Sequence, residues 1–125
     1  MDENGLSTAV IGAAIEVHKL LGPGLLESVY QTCLLKELYL RGLRVESEAP
    51  VSVIYKGDVI TEAYRVDLLV ENKLVVELKA VDKITIVHRS QLLTYLRLMN
   101  KKLGLLINFN ELVVSQGIRR VVNNF

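Results

Sequence analysis

The stretch from Tyr64 to Lys79, YRVDLLVENKLVVELK, constrains the fold more than any other part of the chain. Two short apolar runs, Val66–Val70 and Leu74–Leu78, flank the turn-like residues Glu71, Asn72 and Lys73. Val- and Leu-rich runs bounded by turn chemistry predict a β-hairpin. Three charges, Asp67, Glu77 and Lys79, fall within or beside these runs, where a buried strand prefers aliphatics. Side chains alternate along a strand, so Glu77 and Lys79 share one face and Leu78 points to the other.

The hairpin register decides where Asp67 goes. A three-residue loop over 71–73 pairs Val70 with Leu74 and brings Asp67 opposite Glu77, with Cβ atoms roughly 4.5–5.5 Å apart. Carboxylates at that separation repel and are poorly solvated in an apolar hairpin, a conflict that a divalent cation relieves. A two-residue loop instead pairs Asp67 with Leu78 and turns it away from Glu77. The alternative to a metal site is that these are polar residues on the solvent face of a half-exposed hairpin.

At 125 residues the chain predicts one domain, 1–125, with a single core. Half of the residues are hydrophobic, which sets it apart from disordered chains. Fifteen basic and 14 acidic residues leave a net charge of +1, so no global field draws it to nucleic acid. Cys33 is the single cysteine, excluding an internal disulfide and suiting a reducing cytoplasm. No apolar run nears the ~20 residues of a membrane helix, and nothing at the start resembles a signal peptide. The expectation is a soluble cytoplasmic protein with no membrane partner. The apolar half of the composition and a hydrophobic C-terminal segment also point to a homodimer, although no interface motif is present.

In chain order, Ser7 and Thr8 are candidate caps for a helix running to about Leu21, ended by Gly22-Pro23-Gly24. A second helix is expected from Leu26 to Arg41, with Glu27 in its first turn. Arg44–Tyr55 alternates as a strand, with Pro50 suiting an edge strand or a bulge, and Lys56-Gly57-Asp58 turns the chain into the strand bearing Asp67. After the hairpin, Val81–Thr85 connects to a third helix over 86–100, where His88, Gln91 and Tyr95 share a face. Leu103–Phe109 reads as a central strand buried on both faces. Beyond it, Leu112–Val114 is a candidate edge strand and Gly117–Val122 a short helical or extended piece. The order α-α-β-β-β-α-β predicts an α/β fold, a mixed β-sheet flanked by helices.

Asp67, ten residues before Glu77-Leu78-Lys79, resembles the signature of the PD-(D/E)XK nuclease superfamily, with Val66 standing where the signature has proline. Gly24-Leu25-Leu26-Glu27-Ser28-Val29-Tyr30 fits Gly-x-x-Glu-x-x-Tyr, the motif of the GxxExxY protein family placed in that superfamily. Glu16–Pro23 and Leu105–Phe109 are also similar to that family, so the resemblance runs from about Val10 to Val122. It implies a restriction-endonuclease-like fold and a metal-dependent nuclease. Asp67 and Glu77 then hold Mg²⁺ or Mn²⁺, with Glu27 reaching in from the helix and the Leu78 backbone carbonyl as a further ligand. Lys79 is the catalytic lysine. Gln91 and Tyr95 resemble the Gln-x-x-x-Tyr pair that positions the lysine and the substrate phosphate.

His18 has two readings, a helical metal ligand as in exonuclease-type relatives, or a dipole partner near a helix C-terminus. One cysteine and two separated histidines make a poor zinc set. The competing function is a non-catalytic module, binding nucleic acid or protein, that keeps the nuclease fold. Near-neutral charge and small size favour that alternative, and retention of Lys79 favours the enzyme.

Overall fold

Helix α1 (Glu3–Leu21) starts before Ser7 and Thr8. Asp2 caps it instead, its Oδ1 accepting the Gly5 N–H at 2.8 Å. Ser7 therefore lies inside the helix, on the face that buries Leu6, Val10, Ala13, Ala14 and Val17. The computed structural model describes residues 1–124, and Phe125, the end of the expected domain, lies outside them. Gly22 and Gly24 take φ of +69° and +100° in the break after α1, a region that favours glycine. Helix α2 (Glu27–Leu40) follows and buries Tyr30, Leu34 and Leu38.

Strands β1 (Val45–Tyr55) and β2 (Asp58–Val70) form a long hairpin, with Tyr55 paired to Asp58. Its two-residue turn has both Lys56 and Gly57 at positive φ, the primed geometry that matches strand twist. Then come β3 (Leu74–Lys79), helix α3 (Ile86–Met99), β4 (Leu103–Asn108), a 3₁₀ turn (Val114–Gly117) and β5 (Ile118–Val122). The sheet runs β1-β2-β3-β4-β5, with β3 and β4 parallel and the other neighbours antiparallel. It is the mixed α/β sheet expected, extended by one strand. The edge strand is Ile118–Val122, not Leu112–Val114: Leu112 and Val113 are exposed, and Val114 opens the 3₁₀ turn. Pairing with β4 and burial of Val121 hold β5 in place.

Helices α1 and α2 cover one face of the sheet, in a core that includes Leu34, Leu38, Val76, Leu78 and Ile107. Helix α3 covers the other through Leu92 and Leu96 against Val75 and Leu106. Strands β3 and β4 are thus apolar on both sides, as strands in a parallel pair should be. Gly104 lets α3 lie close, since a Cβ there would sit 2.9 Å from Leu92 Cδ2. Among the described residues no helix is long and apolar enough to cross a membrane.

Candidate active site

The three-residue loop is the one formed, with Val70 paired to Leu74, Leu69 to Val75 and Leu68 to Val76. Glu71 and Asn72 supply the positive φ that closes it. The next step along the hairpin opposes Asp67 and Glu77, and there the β2–β3 ladder stops. Strand β2 continues on β1, while β3 continues on β4 as far as Lys79 opposite Asn108. The strands fork, and the two carboxylates fill the gap. Asp67 N–H donates to Glu77 Oε1 at 3.0 Å, and Leu78 N–H donates to Asp67 Oδ2 at 2.7 Å.

A second irregularity coincides with the fork. Val66 and Leu69 join the same apolar cluster although an odd offset along a regular strand puts them on opposite faces. The strand therefore changes face around Asp67. Across from Asp67 in the β1 register stands Glu48, at φ +55° and outside the paired positions. Neither twist is visible as alternation in the sequence.

Glu77 is 8% exposed. Burial first, and then the Asp67 charge, pushes its pKa up to about 8. Burial likewise raises Asp67 above the usual carboxylate range, the Leu78 N–H opposes this, and Glu48 and Glu27 add to it. Lys79 pulls both acids back toward ionisation. Every fully buried side-chain N or O has a partner among the described residues, so the remaining oxygens, Asp67 Oδ1 and Glu77 Oε2, are open to solvent or ligand. In an extended strand the N–H and C=O of one residue face the same neighbour. Leu78 N–H points into the fork, so its carbonyl opens there too, while Lys79 C=O faces β4 and accepts Phe109 N–H.

This donor set is all oxygen. Among the described residues no three His, Cys, Asp or Glu side chains are gathered closely enough to hold a metal by themselves. Two carboxylates and a carbonyl suit Mg²⁺ or Mn²⁺, which bind through one or two carboxylates and keep part of their water. They do not suit Zn²⁺.

Glu27 opens α2 and is exposed, with its charge acting on Asp67. Its place follows from Tyr30. The phenol donates to Gly22 O at 2.6 Å and accepts Leu25 N–H at 3.1 Å, while the ring stacks on Phe109 at 4.5 Å. The tyrosine of the Gly-x-x-Glu-x-x-Tyr motif thus locks the loop that launches the helix. His18 is drawn elsewhere: its buried Nε2 bonds Glu111 O at 2.7 Å, so it carries the proton and joins α1 to the loop after β4. That nitrogen cannot ligate a cation while the bond holds.

On α3, Tyr95 is buried, and its phenol pKa is raised by burial first and then by the charge of Glu77. Gln91 is exposed one turn earlier. His88 leaves the polar stripe and caps its own helix, Nδ1 accepting Thr85 N–H while Thr85 Oγ1 accepts His88 N–H. Sequence reasoning missed four residues here: Gln31, Glu48, Tyr64 and Asn108. Tyr64 rests on Tyr95 with ring centroids 5.5 Å apart. Asn108, fully buried, accepts the N–H groups of Val81 and Asn110 and donates to Val81 O, fixing the chain just past Lys79. A polar residue closing an apolar run was its available signal.

Comparison with known proteins gives two findings. The model of the PD-(D/E)XK nuclease superfamily matches residues 4–121. The crystal structure of SSO0001 is similar with a TM-score of 0.60 and 22% identity, over 79% of this chain and 51% of that one. This chain thus spans about half the length of SSO0001, and the likeness is one of fold. No curated protein matches it.

Proposed function

Because the chain belongs to the PD-(D/E)XK nuclease superfamily, we propose that it hydrolyses phosphodiester bonds of nucleic acid at the β2–β3 fork. The observation that carries this reading is the pairing of half-buried Asp67 with buried Glu77 beside Lys79. Members of the superfamily generally use divalent metals, and Asp67, Glu77 and the Leu78 carbonyl would hold Mg²⁺ or Mn²⁺ here, with Glu27 facing them from α2. Such an ion supplies Lewis acidity toward the phosphate and lowers the pKa of bound water. Lys79, on the strand face of Glu77, orients the attacking water and offsets charge gathering on the phosphate oxygens. Tyr95 and Gln91 hold the lysine and the phosphate, an effect of positioning. The motif around Glu27 and Tyr30 supports membership in the GxxExxY family.

A cleavage screen with Mg²⁺ and Mn²⁺ over single- and double-stranded DNA and RNA tests this, with Asp67→Ala as control. Cutting by wild type and none by the control is expected. Wild type that binds these strands without cutting supports the second reading, a binding module, which the net charge of +1 and small size favour.

A further inference from the structure

We infer that Gln31 is a positioning residue of the carboxylate site, holding Asp67 in place from helix α2. This rests on the reading of the fork as the active site. Asp67 lies where the β2–β3 ladder has stopped, so its backbone groups are not paired to β3 in the ladder. The Asp67 N–H is taken by Glu77. The carbonyl is taken by a side chain from another layer: Gln31 Nε2 donates to Asp67 O at 3.2 Å. The same amide reaches Glu48 Oε1 at 3.3 Å and Ser47 Oγ at 3.4 Å. One amide group therefore bridges α2, β1 and β2 at the point where strand pairing lapses.

Gln31 lies one helical turn beyond Glu27, on the same face of α2. Tyr30 fixes the start of that turn, and Gln31 fixes its height over Asp67. Side chains that orient ligands in this way commonly change metal affinity 10–100-fold when lost, about the range expected here. Gln31 touches neither substrate nor metal in this scheme, and it acts through Asp67.

Amide hydrogen exchange in the metal-free protein tests the inference directly, because the Asp67 and Leu78 N–H groups are held by the two carboxylates. Gln31→Ala and Gln31→Glu should each speed exchange at both amides about tenfold, the scale of one net hydrogen bond. Amides of β4 and β5 should keep wild-type protection, which shows that the fold is intact. Unchanged exchange at Asp67 and Leu78 in either variant overturns the inference. For the isosteric Gln31→Glu, it would show that bulk, not donation, is what matters. A Mn²⁺ titration of wild type reads the active-site proposal separately: no uptake there defeats the metal reading and leaves the exchange result to decide the role of Gln31.

Discussion

Glu77 shows how one side chain can be unfavourable for folding and still be kept. Its carboxyl titrates near 4.5 in the unfolded chain and at about 8 in the fold. Between those values the folded protein holds a proton that the unfolded chain has released, so stability without metal falls as pH rises through that window. Asp67 is shifted in the same direction. Urea melts from pH 5 to 9 should show this slope, worth on the order of a few kcal/mol, and Glu77→Gln should flatten it and stabilise the protein at pH 8. A wild-type profile flat across that range would contradict it. Lys79 answers a different question: Lys79→Met should abolish cleavage while thermal melting and Mn²⁺ affinity stay near wild type, since this partly exposed side chain fills no core cavity. Tyr30→Phe should keep the stacked ring but lose two hydrogen bonds, costing about 1–3 kcal/mol in denaturant melts.

At the scale of elements, local chemistry was legible and long-range pairing was not. Gly22-Pro23-Gly24 ended α1, and the third helix ends within a residue of expectation. Asp67 and Glu77 were legible as a pair once the loop length was three. Ser7 misled because a serine before an apolar run reads as a cap, whereas Asp2 is the cap and Ser7 is packed inward. His18 and His88 share one lesson: each bonds backbone at a helix end, a use that no spacing distinguishes from ligation. Gly117–Val122 reads as a short helical or extended piece, and Ile118–Val122 takes the extended form, following a 3₁₀ turn that ends at Gly117. A Cβ there would lie 2.6 Å from the backbone oxygen of Asn108. Gly117→Ala should therefore shift the end of β4 that carries Asn108, lowering the melting temperature by several degrees, a cost of about 1–3 kcal/mol. Calorimetry checks this, and an unchanged melt would mean that the turn yields without cost.

For the molecule as a whole, charge sets how it can hold a polyanion. If the chain takes nucleic acid as proposed, a net charge of +1 gives it no global field with which to grip many phosphates at once. Binding of Asp67→Asn to an oligonucleotide should weaken by less than the roughly thousandfold loss between 50 and 200 mM salt seen with six or more phosphate contacts. Fluorescence anisotropy across that salt range measures it, and a steeper fall would reveal a basic track at odds with the overall balance. The β1–β2 hairpin exposes Ile54, Tyr55, Val59, Ile60 and Tyr64, and a homodimer through such a face is a proposal that solution mass tests. Light scattering that gives a monomer mass at high micromolar concentration would reject that state. The fork has one more consequence. Strands β2 and β3 are joined through only three residue pairs, so the sheet narrows there to an isthmus. The long hairpin is held across that narrowing by helix α3 instead, with Ala49, Val51 and Val66 packed in one cluster with Leu92 and Leu96 and with Tyr64 resting on Tyr95.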